Sequence, residues 1–280
     1  MSQKSIGMLE MVLCSILWST SGILIKLIDM NPLCITGFRS LFAAFTVLAY
    51  MLITKKKFVF NKTSFLTGLI LSGSFFCVIG ANKFTTAANA VVLQYTNPIF
   101  ILIISVLFFK MKISRKDIIT LVFVLLGIVL SFCEDMNGGG LFGNILGVFS
   151  GLFLALMFIF CGGSGGSEKI TGILTGHIMS SVAGLSFLPF TENTLSGPTF
   201  FYLFLLGVFQ IGLAYILFSL ASGKCTPLAC SIISVIEPLF NPVWVFLFTR
   251  ELPGPIALAG FGIILASISV WSILGTKADG

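Results

Sequence analysis

Glu237 is the residue of this chain best placed to do chemistry, because it stands within an apolar run long enough to cross a bilayer. An ionised carboxylate at that depth is costly unless it is paired, protonated or turned toward water. Such a group can hold a cation or carry a proton; the bland reading is a protonated glutamate hydrogen-bonded between helices. Asn97 stands half the chain's length earlier, and both residues precede a proline, Pro98 and Pro238. Proline withholds an N–H from the carbonyl four residues back, here that of Gln94 and of Ser234. Asn241-Pro242 adds a second break in the later segment and exposes the Pro238 carbonyl. Helical spacing puts Gln94, Asn97 and Ile101 on one face, and Ser234, Glu237 and Asn241 on another. Irregular, polar backbone within a bilayer survives where it lines a cavity, so these residues are the first candidates for a substrate site.

Further candidates surround them. Trp18, Tyr95, Gln210, Tyr215 and Trp244 lie within apolar stretches, and Phe158 occupies the position of Trp18 after a shift of half the chain. Rings beside a carboxylate hold ammonium or guanidinium groups by cation–π attraction. In a chain that is 13% aromatic, core packing and lipid contact compete with that reading. Arg39, read near the outer end of the second span, can snorkel, bind an anion or pair with an acid. His177, the chain's single histidine, titrates in the range needed to carry a proton, against a packing role. Lys26 and Lys83 read as interfacial anchors.

Two patterns point away from chemistry. The seven cysteines are odd in number, lie in or beside apolar stretches and form no C-x-x-C pair, so they read as reduced packing residues with no metal site. Gly162 to Ser167 matches a Gly-x-Ser-x-Gly nucleophile elbow, which needs a preceding strand and a His/acid pair. It reads instead as a flexible Gly/Ser linker, natural or introduced.

The elements that must position these residues follow from composition and repetition. The chain is 57% hydrophobic and 9% charged, with 30 Phe and 29 Gly, and its mean hydropathy is +1.10. A soluble surface cannot be built from so few charges. Thr86-x11-Pro98-x-Phe100-x7-Phe108-x-Lys110 returns half a chain later, without a gap, as Thr226-x11-Pro238-x-Phe240-x7-Phe248-x-Arg250. The repeat implies two halves, 1–140 and 141–280. Apolar stretches predict ten spans near 7–28, 33–54, 64–82, 87–109, 116–133, 141–161, 170–190, 199–221, 226–249 and 255–275. Five spans per half make the second copy enter the membrane from the opposite side, an inverted repeat.

Lysines and arginines set the expected orientation. Lys4, Lys55, Lys56, Lys57, Lys62, Lys110, Lys112, Arg115, Lys116, Lys169, Lys224 and Lys277 fall on one side, which places both termini in the cytoplasm. The net charge of +6 is explained by that topology and by anionic lipid, with no nucleic-acid partner. The first span is too long for a secretory signal and is interrupted by Glu10. Membrane lipids, protons and a small-molecule substrate are the expected partners, for a monomer or a homodimer.

The 5+5 inverted repeat, Phe38-Arg39 opening span two, Asn97-Pro98-Ile99-Phe100 and Glu237-Pro238-Leu239-Phe240 together resemble the EamA family of the drug/metabolite transporter superfamily. In that family a Gly-Glu pair commonly follows spans four and nine. Here span nine keeps the glutamate as Arg250-Glu251, whereas span four has Lys110-Met111. The resemblance implies a carrier, often an exporter of amino acids, other metabolites or drugs, with a central cavity between the halves.

The resulting expectation is a secondary active transporter of the plasma membrane. It moves amino acids or amine and cationic compounds outward by alternating access, with Glu237 as the proton carrier. Gly68, Gly73, Gly80, Gly147 and Gly151 permit close helix contact during rocking. No phosphate-binding loop for ATP is present, and no cofactor is implied. The alternatives are an uncoupled channel-like facilitator and a multidrug or quaternary-cation exporter. An enzyme is disfavoured, because paired carboxylates and a nucleophile with its base are lacking.

Overall fold

The computed structural model describes residues 2–85, 87–110, 114–133, 140–249 and 254–277; the side chains of Lys26, Lys83 and Asn241 lie outside the described set. Its helices, in chain order, are α1 (Gln3–Ser19), α2 (Ser21–Lys26), α3 (Pro32–Ile53), α4 (Lys62–Phe84), α5 (Ala87–Gln94), α6 (Asn97–Phe109) and α7 (Arg115–Phe132). The second half contributes α8 (Leu141–Gly163), α9 (Gly166–Leu185), α10 (Gly197–Leu205), α11 (Ala214–Ala221), α12 (Pro227–Ser234), α13 (Ile236–Thr249) and α14 (Pro255–Lys277). A π-helical segment, Leu206–Leu213, joins α10 to α11.

Local sequence explains where these helices begin. Asn31 caps α3 just ahead of Pro32, which suits a first-turn position that needs no N–H donor. Asn61 and Ser64 bond reciprocally at the start of α4, and Ser114 and Asp117 do the same at α7. Thr226 caps α12 ahead of Pro227.

Six stretches among the described residues are long and apolar enough to cross a membrane: 32–53, 62–81, 89–108, 141–163, 166–190 and 197–221. The other expected spans coincide with helices that are shorter, broken or charged at one end. The chain is therefore an all-α, multi-pass membrane protein. Large apolar side chains such as Phe45, Ile53, Phe123, Phe149 and Phe201 face outward, as a lipid-facing surface requires.

The interior is built by helices of one half packing on helices of the other. α4 lies against α8 and α9, α3 against α9 and the π segment, α1 against α11 and α13, and α7 against α14. Glycine permits close crossings. A methyl group built on Gly184 of α9 would stand 2.6 Å from the backbone nitrogen of Gly37 on α3.

Three expectations are revised. Spans four and nine are each two helices that meet at Tyr95-Thr96 and at Val235, just ahead of Pro98 and Pro238, and the second break expected at Asn241-Pro242 is not formed, since α13 runs through it. The first span is likewise interrupted at Thr20, and the eighth is widened into a π turn. The Gly162–Ser167 linker shrinks to Ser164 and Gly165, because its flanking glycines are helical; a helix rather than a strand precedes it, which removes the elbow geometry.

Candidate functional site

The proline argument is visible in the two broken helices. Pro98 leaves the Gln94 carbonyl without its helical donor, and the Asn97 side-chain amide donates to that carbonyl at 3.3 Å. Pro238 does the same to Ser234, whose carbonyl lies 3.4 Å from the Tyr95 hydroxyl. Each break thus has its freed acceptor answered by a side chain from the α5–α6 junction, as a buried carbonyl demands.

The same side chains stitch the two breaks together. The Tyr95 hydroxyl donates to Glu237 Oε2 at 2.8 Å, and the Ser231 hydroxyl of α12 donates to Asn97 Oδ1. Tyr95 and Asn97 are buried. Glu237, the second residue of α13, is half-buried and sits beside the break rather than in mid-helix. Gly151 of α8 lets a third helix approach, since a methyl group there would meet the Gln94 carbonyl at 2.9 Å.

The break after α1 is held in a similar way. Trp244 of α13 donates its indole N–H to Ser19 Oγ at 2.8 Å, and Gln210 of the π segment donates to the Trp18 carbonyl at 3.3 Å. A π turn places a side chain off the usual helical face, and such turns recur at functional sites. Gly207 lets that wider turn reach the backbone of Arg39 on α3, where any larger residue would collide.

From Trp18 a chain of rings crosses the interior. Trp18 meets Tyr215 at 5.3 Å, Tyr215 meets His177 at 5.3 Å, and His177 stacks on Phe75 at 5.7 Å. The Arg39 guanidinium lies 5.3 Å from the centre of the Phe75 ring. Arg39 enters from the second turn of α3 and is buried, so the snorkelling reading of this side chain does not hold. Among the described residues it has no carboxylate partner; the ion pair found there is Lys224 with Glu10.

Of the residues singled out in the sequence, Tyr95, Asn97, Ser234 and Glu237 therefore meet at the crossing of the two breaks. Trp18, Gln210, Tyr215, His177 and Arg39 form the adjoining cluster. Gln94 takes part through its carbonyl, and Asn241 falls on an undescribed side chain. Sequence reasoning missed Phe75, Ser19 and Ser231. Phe75 was within reach, since it lies half a chain before Tyr215; the two serines carry no distinguishing pattern.

The ends of the bundle are tied as well. Glu10 of α1 pairs with Lys224, and Cys225 Sγ approaches the Lys4 carbonyl at 3.6 Å. At another junction Thr85 donates to Asn144 Oδ1 at 2.6 Å. On the outer surface an apolar groove of about 570 Å³ is lined by α3, α9, Phe58 and Phe60, away from the Glu237 and Arg39 clusters.

Comparison with known proteins agrees with this architecture. The profile of the EamA-like transporter family matches residues 5–133. The chain is 23% identical over 289 aligned positions to the human protein named Solute carrier family 35 member G1, covering 94% of this chain and 77% of that one. It is 30% identical over 129 positions to an uncharacterized transporter encoded in the trpA 3' region of Buchnera aphidicola subsp. Schlechtendalia chinensis, covering 44% of this chain and 42% of that protein. A solved crystal structure superposes with a TM-score of 0.81 over 99% of both chains at 15% identity, a likeness of fold alone. The EamA-like match over residues 5–133, the transporters to which the chain is similar and the apolar helical bundle support a membrane transporter, similar to those of the drug/metabolite type.

Proposed function

We propose that the chain is a secondary carrier that exports small metabolites, amino acids or amine and cationic compounds, across the plasma membrane by alternating access, coupled to protons through Glu237. The observation that carries this reading is the Tyr95–Glu237 hydrogen bond, which joins two proline-broken helices at the heart of the bundle. A carboxyl group held between two breakable elements can change partners when those elements move. That is what coupling substrate or proton binding to a conformational change requires.

The packing supports ten spans arranged as two inverted repeats. Under a shift of half the chain the contact of α4 with α8 becomes that of α11 with α1, and α4 with α9 becomes the π segment with α3. The tie between Thr85 and Asn144 maps in the same way onto Cys225 and Lys4. Repeat-related ties at two junctions suit a carrier closed at both ends, in which rocking releases one tie at a time. Lys224 and the Lys55-Lys56-Lys57 run belong to the side we read as cytoplasmic, with both termini.

The test is counterflow in proteoliposomes over amino acids, amines and quaternary cations, with Glu237→Gln alongside. Saturable exchange that depends on pH in the wild type and not in the variant supports the proposal. Flux that never saturates and shows no counterflow replaces it with the uncoupled facilitator.

A further inference from the structure

We propose that Arg39 and His177, with Phe75 between them, form an oxyanion subsite that receives the carboxylate of the transported solute. The inference rests on the carrier reading above and narrows its substrate class. Solutes bearing a carboxylate are accepted, and amines or quaternary cations without one are not.

The argument begins with unmet polar atoms. Within the described residues Arg39 Nε and both ring nitrogens of His177 are buried without a hydrogen-bond partner, as are Trp18 Nε1 and Gln210 Oε1. Arg39 keeps 7% of its surface exposed and His177 none. Most buried polar groups in folded proteins are satisfied, so several orphans within one set of touching rings need an explanation. All five atoms belong to the ring chain from Arg39 to Trp18 or to the Gln210 side chain that binds Trp18.

Charge narrows the explanation to an anion. A guanidinium within a membrane interior is rare unless it meets a counter-charge, and no carboxylate of the described residues reaches Arg39. The Phe75 ring offers cation–π attraction at 5.3 Å but no acceptor for the N–H groups. Guanidinium matches carboxylate in shape, as a planar fork giving parallel hydrogen bonds, and His177 supplies a further donor or acceptor beside it. Five elements converge here: α1, α3, α4, α9 and α11. The subsite is therefore remade whenever the two halves move against each other.

His177 is the only histidine, so its imidazole is a single-site reporter. Protein carrying isotope-labelled histidine, reconstituted in lipid nanodiscs, is titrated with phenylalanine, benzoate and acetate, and separately with phenylalaninamide and benzamide. We expect at least one acid to shift the His177 resonances saturably while its amide does not. The response should weaken about tenfold or more in Arg39→Gln, matching the loss of a charge-assisted hydrogen bond, and return in part in Arg39→Lys.

Resonances unmoved by all three acids, or moved equally by acid and amide in the wild type, overturn the subsite without any variant being needed. Counterflow measured on the same preparations separates the two ideas. Exchange of amines that persists in Arg39→Gln refutes the subsite and leaves the carrier standing. Acid-specific shifts without any counterflow keep the subsite and remove the carrier.

Discussion

Phe75 and Tyr215, half a chain apart in sequence, meet edge to face with ring centres 5.9 Å apart. A residue can touch its own repeat mate only close to the axis that relates the two copies. On the inverted repeat proposed above, this contact puts the axis in the aromatic cluster. Asn97 and Glu237 are mates as well, yet each is bonded by a side chain from the opposite break, Ser231 and Tyr95. In the inverted repeat proposed above, the two breaks thus correspond in backbone and differ in charge.

Tyr95→Phe removes the hydroxyl that donates to Glu237 and leaves the buried ring in place. Loss of a hydrogen bond to a carboxyl group predicts a fall in exchange of about tenfold. Because the two residues act through one bond, Tyr95→Phe combined with Glu237→Gln should be no worse than Glu237→Gln alone. Additive losses in the counterflow assay would mean that the bond does not matter for transport.

Two of the expected breaks fall beside Pro98 and Pro238, whereas α13 runs on through the third, at Asn241-Pro242, and the consequence of the breaks was not legible. Pro98 and Pro238 mark which carbonyls lose their donors, a local rule that needs only the sequence. That Tyr95 would answer Ser234 across the interior depends on how two distant helices cross, and periodicity carries no such information. Arg39 was left open between snorkelling, anion binding and pairing with an acid; its burial against Phe75 of α4 removes the first of these. No residue pattern in Leu206–Leu213 announces the π turn, in which Gly207 lies tight against Arg39 and Phe42 of α3.

Pro98→Ala returns a backbone donor to the Gln94 carbonyl and tends to heal the α5–α6 break. As the second residue of α6, Pro98 costs that helix little by itself, so any gain in stability comes from joining α5 to α6. We expect a thermal midpoint equal to or above that of the wild type, together with a marked loss of counterflow, because the break can no longer flex. Full transport in a Pro98→Ala protein would show that the interruption is architectural only.

Gly184→Ala tests the close crossing of α3 and α9. The added methyl group would stand 2.6 Å from Gly37 N and 2.6 Å from the Leu33 carbonyl, both backbone atoms that cannot rotate away. Overpacking of this kind costs about 1–3 kcal/mol, so the thermal midpoint should drop and α3 should separate from α9. Gly163→Ala is the matched control, because nothing lies within 4 Å of a methyl group there. Equal midpoints for the two variants would refute the crossing.

The Glu10–Lys224 pair should act as a latch on the end that carries Lys4. Both partners are partly shielded, with side-chain exposures of 15% and 24%, so the bond exceeds an open surface pair yet remains breakable. Cys14 lies one turn deeper than Glu10 on the same face of α1 and is fully buried. A reagent arriving from that end must pass the latch before it reaches the Cys14 thiol. Glu10→Gln and Lys224→Gln should each raise the rate of maleimide labelling at Cys14, read site by site by mass spectrometry. An increase of about two- to tenfold corresponds to losing roughly 0.4–1.4 kcal/mol of closure. The exchanged pair, Glu10→Lys with Lys224→Glu, should return the rate toward that of the wild type, since it restores attraction with the charges reversed. A labelling rate indifferent to all three changes would place the barrier elsewhere, in the packing of Gly7 against Lys224 and Cys225 rather than in the charges.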